Sequence, residues 1–237
     1  MNVAIVVAGG KGVRFGGHRP KQFLELDGVP IIVHTLRRFE QSSQIDEVVV
    51  VLPAHELGSF QSLIEKFNLK KILRVVAGGA TRAQSVNQGL TAIDNAEMVA
   101  VHDAVRPLVT ADEIDRVVDA ATETGAAILV GPVNETIKRI ENDRVRQTVP
   151  RSELRRALTP QCFRFDILKR AYENLARFES SGTDVTDDSL LVEDLGVEVA
   201  AVEGGARNIK ITTREDLALA EAWLKSIGAE LVPAQHA

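Results

Sequence analysis

Apolar residues along this chain follow two periods. Short β-branched runs occur at 2–8 (NVAIVVA), 46–52 (DEVVVVL), 72–77 (ILRVVA), 97–102 (EMVAVH) and 126–131 (AAILVG). They are continuous rather than alternating, as expected of strands buried on both faces. Between them the period lengthens. Phe60, Leu63, Ile64 and Phe67 repeat at i, i+3, i+4, i+7, and so do Ile114, Val117, Val118 and Ala121. This β-α-β-α rhythm predicts an α/β fold with a doubly wound, mostly parallel sheet and right-handed crossovers. Ligands of such sheets sit outside the carboxyl ends of the strands.

The rhythm breaks near residue 133. Residues 134–150 (NETIKRIENDRVRQTVP) alternate loosely around Glu141-Asn142-Asp143, which predicts a hairpin turn. The segment is too long for a plain connection and reads as a protruding β-arm. Helical patterns return at 165–178 and around 186–195, followed by a short strand at 197–202. A last helix is expected over 213–226, opened by Thr-Thr with Glu215 in its first turn. There is no internal repeat or low-complexity tract, so residues 1–237 are expected to form one domain carrying the arm at 134–150.

Composition narrows the function classes. The chain has 237 residues, 45% hydrophobic and 26% charged, enough for a sizeable core. Lys plus Arg is 28 against 33 Asp plus Glu, a net charge of −5, which argues against a general nucleic-acid or membrane-surface binder. One cysteine, Cys162, allows neither an internal disulfide nor a cysteine-based metal site, and reads as a packing residue. The opening apolar run lacks a basic flank and is too short for a signal or a span, so a reducing cytoplasm is the expected compartment.

Candidate chemistry concentrates at the end of the first strand. Residues 7–22 (VAGGKGVRFGGHRPKQ) hold five glycines and four Lys or Arg. Glycines let backbone approach a ligand, and successive N–H groups form an anion nest. A P-loop is excluded because no glycine here precedes Lys-Ser or Lys-Thr. A dinucleotide fingerprint fits Gly10 and Gly12, but Phe15 stands at the third glycine position. What remains is a glycine-rich loop seeded with Lys11, Arg14 and Lys21, suited to phosphate; the bland alternative is a solvated surface loop.

The pattern A-G-G-x-G-x-R followed by P-K-Q resembles the signature of sugar and alditol nucleotidyltransferases. GGATRAQSV (78–86), VHDAVRP (101–107), LTPQCF (158–163) and EGGARNIKITTREDL (203–217) extend the likeness from residue 3 to 226. Five motifs in this order resemble the 2-C-methyl-D-erythritol 4-phosphate cytidylyltransferase family of the non-mevalonate isoprenoid pathway. The resemblance implies a Rossmann-like nucleotidyltransferase fold and attack of a substrate phosphate on the α-phosphorus of CTP. Positioning and electrostatics would then do most of the catalysis. It implies Arg14, Lys21 and Lys210 as catalytic cations, and Mg²⁺ held mainly by CTP phosphates. It also implies nucleotide contacts from Ala8, Gly9, Gly10, Gly12, Gly79, Ala80 and Ser85, and substrate contacts from Asp103, Arg106, Thr136 and Arg151. The chain departs from the family's pattern at Val7-Ala8-Gly9-Gly10, usually Pro-Ala-Ala-Gly, and at Ala80, often acidic. Main-chain recognition would tolerate both.

The arm carries Lys138, Arg139, Arg144 and Arg146, with Arg151, Arg155 and Arg156 just beyond. No aromatic residue is present for base stacking, which weakens a nucleic-acid reading; a solvated hairpin is the bland one. The resemblance implies an arm exchanged in a C2 homodimer, with Thr136 and Arg151 reaching the partner's substrate phosphate, which would also cover exposed strand edges. His102 beside Asp103 lacks a second histidine at ligand spacing and reads as a packed strand-end residue. Three rivals stand beside this reading: a D-ribitol-5-phosphate cytidylyltransferase with the same fold and CTP, a non-catalytic nucleotide sensor, and a dinucleotide-dependent oxidoreductase.

Overall fold

The computed structural model describes residues 1–9 and 20–230. Seven strands form the central sheet, in the order 200–203, 126–132, 155–164, 98–103, 2–7, 47–52 and 72–77. In chain order, β1 (Asn2–Val7) is followed by a short β2–β3 ribbon (Glu25–Leu26, Val29–Pro30) and α1 (Ile31–Gln41). Next come β4 (Glu47–Leu52), α2 (Leu57–Phe67), β5 (Ile72–Ala77), α3 (Arg82–Thr91), β6 (Met98–Asp103), α4 (Ala111–Thr124) and β7 (Ala126–Pro132). The arm is β8 (Ile137–Glu141) and β9 (Arg144–Val149); β10 (Arg155–Arg164) re-enters the sheet. Helices α5 (Phe165–Glu173), α6 (Leu175–Ser180) and α7 (Ser189–Glu193), strand β11 (Ala200–Glu203) and helix α8 (Arg214–Glu230) complete the chain.

The mostly parallel, doubly wound expectation holds. β1 pairs in parallel with both β4 and β6, β4 with β5, and β11 with β7. The five β-branched runs are β1, β4, β5, β6 and β7. Their side chains feed two apolar layers, one on each face of the sheet. One holds Val6, Val50, Leu36, Phe39 and Val117, the other Ile5, Val51, Val86, Leu90 and Phe163. This two-sided burial is why the runs are continuous. Cys162 is fully buried, and burial pushes its thiol well up, which suits the packing role.

The antiparallel strand β10 is an element the apolar pattern does not reveal. Arg155 and Arg156 are exposed, and Thr159, Pro160 and Gln161 interrupt the buried half, where the pairing with β7 also slips. Helices α1 and α3 likewise carry no pattern singled out above. The helix expected over 165–178 is two, α5 and α6, meeting at Asn174, a residue whose side chain competes with helical hydrogen bonds. The one expected around 186–195 is confined to Ser189–Glu193. The last strand is shifted to 200–203.

The arm is a hairpin, with Asn142 and Asp143 both at positive φ (49° and 58°), the backbone of a type I′ turn. Its strands pair only with each other, and their residues are exposed except at the two base positions Ile137 and Val149. α4 opens with a capping box: Thr110 Oγ1 accepts from the Glu113 N–H while Glu113 Oε2 accepts from the Thr110 N–H. Glu113 Oε1 also accepts from the Gly205 N–H at 2.6 Å, tying the 203–213 segment to the helix. Among the described residues no helix is long and apolar enough to cross a membrane.

Candidate active site

The sheet order makes a switch point. From β1 the chain winds one way to β4 and β5, then returns to place β6 on the other side of β1. The loops that follow β1 and β6 therefore part at this switch point, where such sheets open a ligand crevice, and the paired Val7 and Asp103 lie at its floor. Ala8 and Gly9 leave β1 there. The Ala8 N–H donates to Val51 O at 2.8 Å, and Ala8 O accepts from Gln22 Nε2 at 2.6 Å. Lys21 opens a single 3-10 turn, 21–23, just before. Gly10, Gly12 and Arg14, with Lys11, lie outside the described residues.

The second glycine loop, 78–81, leaves β5 beside Gly9. Ser85, on the first turn of α3, joins the two loops. A Cβ on Gly9 would meet Ser85 Oγ at 2.7 Å and one on Gly78 would meet it at 2.8 Å, so this approach needs bare backbone on both sides. Ser85 Oγ donates to Thr81 O at 2.8 Å and accepts from the Gly79 N–H at 3.2 Å. The Ala80 N–H is satisfied by Gln84 Oε1 at 2.9 Å. The expected nucleotide positions Ala8, Gly9, Gly79, Ala80 and Ser85 thus converge, with the N–H groups of 79 and 80 held by α3 side chains. Thr81 caps α3 through the Gln84 N–H.

Asp103, at the end of β6, is the electrostatic centre. Its Oδ1 accepts from Arg82 Nε at 3.0 Å; its Oδ2 meets Arg106 Nε at 3.2 Å and Lys210 Nζ at 3.1 Å. Burial opposes the charged form, but Arg82, then Lys210 and Arg106, outweigh it and hold the Asp103 carboxyl well below the usual carboxylate range. The cluster therefore keeps Asp103 anionic at neutral pH. Of the three cations Lys210 keeps the largest exposed face, 39% against 20% for Arg82 and 11% for Arg106. It is the one best placed to meet an incoming anion.

Lys210 arrives by tertiary contact. Ile211 is buried beside Val105 and Leu108, and its N–H donates to Val105 O at 2.9 Å. Asn208, also buried, donates from Nδ2 to Thr159 O at 2.9 Å and accepts at its main-chain oxygen from Arg106 Nη1 at 3.1 Å. So the N-I-K segment, the loop after β6 and the Leu158–Thr159 bend of β10 lock together around one carboxylate. His102 is part of the same scaffold and not a metal ligand. Its Nε2 meets Arg106 O at 3.2 Å, so Nε2 carries the proton, and Nδ1 accepts from the Thr159 hydroxyl at 2.9 Å. Burial lowers its pKa to about 3, keeping the ring neutral.

Thr136 and Arg151 are placed elsewhere. Thr136 is exposed just before β8, and Arg151, exposed at the foot of the arm, donates to Asn134 O at 2.8 Å. Among the described residues no hydrogen bond or ion pair joins either to the Asp103 cluster. In linear order Arg82 is only one member of the GGATRAQSV motif, and nothing there singles out Asp188 or Tyr172. Arg82 Nη2 donates to Asp188 Oδ2 at 2.9 Å, and the Tyr172 hydroxyl donates to Asp188 Oδ1 at 2.5 Å. Nothing in linear spacing joins positions 82, 103, 172 and 188; only the fold does.

The chain matches, over residues 2–226, the family described as IspD: 2-C-methyl-D-erythritol 4-phosphate cytidylyltransferase. A relative of that name from Bacillus velezensis is 43% identical over 225 residues, 94% of this chain and 96% of the other. One from Syntrophus aciditrophicus is 43% identical over 226 residues, 94% and 95% of the two chains. Among solved structures, a 4-diphosphocytidyl-2C-methyl-D-erythritol synthase from Anaerococcus prevotii superposes with a TM-score of 0.82 at 31% identity, covering 95% of this chain and 98% of the other. A 2-C-methyl-D-erythritol 4-phosphate cytidylyltransferase from Thermus thermophilus gives 0.74 at 34% identity, covering 95% and 100%. With the motifs in order, the switch-point crevice in place and the match nearly end to end, the chain belongs to the 2-C-methyl-D-erythritol 4-phosphate cytidylyltransferase family.

Proposed function

We infer that the chain transfers CMP from CTP to 2-C-methyl-D-erythritol 4-phosphate, giving 4-diphosphocytidyl-2-C-methyl-D-erythritol and pyrophosphate. The observation that carries this reading is the Asp103 cluster at the β1–β6 crevice, in a chain that matches the family over residues 2–226. The names of the relatives favour the methylerythritol substrate over D-ribitol 5-phosphate.

The reaction joins two anions. A substrate phosphate oxygen bonds to the α-phosphorus, the bond from that phosphorus to the β-phosphate oxygen breaks, and pyrophosphate leaves with the electron pair. No side-chain nucleophile is required, so the protein's part is to position the reactants and offset charge. The loops at 8–12 and 78–81 hold the nucleotide, with Ser85 between them. Arg14 and Lys21 stabilise the crowded α-phosphoryl centre and the leaving pyrophosphate. Lys210, tethered to Asp103 Oδ2, faces the substrate phosphate. Asp103 and Arg106 take the polyol hydroxyls.

Mg²⁺ accompanies CTP in this reading. The described residues include no group of three His, Cys, Asp or Glu able to hold a metal ion, and Asp103 is already matched by three cations. The described residues thus do not fit a protein-only cage. Phosphate oxygens and water are the fitting ligands, and the ion's contribution is to offset phosphate charge.

The homodimer is likewise our reading. Ile140 and Val145 are 57% and 62% exposed on an arm that pairs only with itself, and such a two-stranded ribbon is marginal alone. A second copy would cover both and bring Thr136 and Arg151 to the other subunit's substrate. Use of CTP supports a cytoplasmic workplace. Pyrophosphate release from purified protein with CTP and Mg²⁺, comparing 2-C-methyl-D-erythritol 4-phosphate with D-ribitol 5-phosphate, tests the activity. Release with the first substrate alone is expected; release with the second alone moves the enzyme to another substrate, and release with neither removes the reading.

A further inference from the structure

We infer that Arg82 is a positioning residue, braced by Asp188 and Tyr172, that fixes the Asp103 carboxylate and through it the Lys210 ammonium at the reaction centre. The inference rests on the cytidylyltransferase reading above.

Arg82 is the first residue of α3, directly after the second glycine loop, and its guanidinium reaches the end of β6. One edge of the fork spans two carboxylates: Nε to Asp103 Oδ1 at 3.0 Å and Nη2 to Asp188 Oδ2 at 2.9 Å. Asp188 cannot swing away, because it is fully buried and every polar side of it is held. Its Oδ1 accepts from the Tyr172 hydroxyl at 2.5 Å, and its N–H donates to Gln161 Oε1 at 2.8 Å. Gln161 is in turn tied to Asp187 Oδ2 at 3.1 Å and accepts from the Ser189 N–H. The brace thus runs from β10, α5 and the 187–189 turn into Arg82.

A carboxylate pinned at one oxygen loses its freedom to rotate. With Oδ1 held, Oδ2 has one place, and Arg106 and Lys210 meet there. Lys210 is a flexible point charge on a long stem, so without this anchor its ammonium would sample many positions. The same residue begins the helix that carries Ser85 and Gln84, which hold the nucleotide loop. Arg82 is therefore where the nucleotide loop and the Asp103 carboxylate share one rigid group. A lysine here would supply a charge but could not span both carboxylates in a fixed plane.

A merely structural ion pair is the competing account, and buried pairs are weak evidence for stability. Direct contact with substrate is another, since Arg82 Nη1 is buried without a hydrogen-bond partner among the described residues. A double-mutant cycle separates direct contact from positioning, and a kcat loss with folding and CTP affinity retained separates a merely structural pair. Arg82→Gln, Asp103→Asn and the double variant are assayed for kcat and KM by pyrophosphate release, with CTP affinity by calorimetry and folding by circular dichroism. Arg82→Gln is expected to lower kcat roughly hundredfold, the scale of a 1 Å misplacement. CTP affinity should change far less, and Arg82→Lys should not restore kcat. The double variant should match Asp103→Asn within about twofold, because Arg82 has nothing left to position. Losses that multiply, or wild-type kcat in Arg82→Lys, overturn the inference while leaving the activity intact. Where Arg82→Gln fails to fold, Tyr172→Phe carries the same cycle with a smaller loss and the same non-additivity, and a multiplying loss there overturns the inference equally. A wild-type protein that releases no pyrophosphate removes the functional reading and this inference with it, an outcome distinct from either of the others.

Discussion

Gly89→Ala sets two physical effects against each other. Gly89 is buried inside α3, and in an isolated helix the added methyl group would stabilise by about 0.5–1 kcal/mol, the entropy glycine otherwise loses. Tertiary packing opposes this. A Cβ at Gly89 would stand 2.6 Å from Ile5 Cγ2 and 3.0 Å from Val51 Cγ2, both fully buried strand side chains. Carbon contacts prefer about 3.5–4.0 Å, so α3 must lift by roughly 1 Å from β1 and β4. Overpacking of this kind costs about 1–3 kcal/mol, and the balance is a loss of up to about 2.5 kcal/mol. At about 2–4 °C per kcal/mol for a chain of this size, the melting temperature should fall by up to about 10 °C. The same lift moves Arg82 and Ser85, so kcat should fall further than stability suggests, by up to roughly a hundredfold for a 1 Å shift. Gly58, exposed in α2 with nothing within 4 Å of its Cβ position, is the control. There the entropy effect stands alone, and Gly58→Ala should raise the melting temperature by about 1–4 °C. Calorimetric melts and steady-state kcat on the two variants decide it. A Gly89→Ala protein that melts higher with normal kcat would refute the packing argument.

Other predictions follow from single features. His102 stays neutral down to about pH 3, while the unfolded chain protonates at its ordinary 6.5. Between those values the unfolded state binds the extra proton, so stability falls as pH falls, by up to about 1.4 kcal/mol per unit from this residue. Denaturant titrations from pH 7 to 4 should show a shallower slope in His102→Asn, and an unchanged slope contradicts the assignment. Thr110→Ala removes the α4 capping box and should cost about 1 kcal/mol in urea unfolding, with kcat unchanged. Lys210→Ala should lower kcat and kcat/KM together while sparing CTP affinity; a rise in KM for CTP alone would place Lys210 on the nucleotide instead. Mixed Arg14→Ala and Arg151→Ala proteins should regain activity as heterodimers if the arm completes the partner's site, and inactive heterodimers would end the shared-site proposal.

Much was legible in linear order because it depends on near neighbours. Runs such as VVVVL at 48–52 must be buried on both faces, so they report parallel strands. Asn142-Asp143 reports a turn because both residues tolerate positive φ. The glycine loops, and the order of the motifs through N-I-K, identified phosphate chemistry and the family before any contact was known. β10 escaped because its buried half is broken by Thr159 and Pro160 and its exposed half is basic. The pattern over 165–178 reads as one helix because periodicity continues across Asn174 while the hydrogen-bond ladder does not.

The sequence by itself determined the α/β class, the two-sided sheet, the arm and the candidate cations, since each follows from local periodicity, turn chemistry or motif. Only the tertiary structure decided that Asp103 is shared by Arg82, Arg106 and Lys210, that Asp188 and Tyr172 brace it, and that Ser85 joins the two glycine loops. The directly paired side chains among them are up to 107 positions apart (Asp103 to Lys210) and become neighbours through the strand order and the strapping of Ile211 onto Val105. An ion pair depends steeply on a separation of a few ångströms, and spacing along the chain carries no information about that separation once a sheet has brought distant strands side by side.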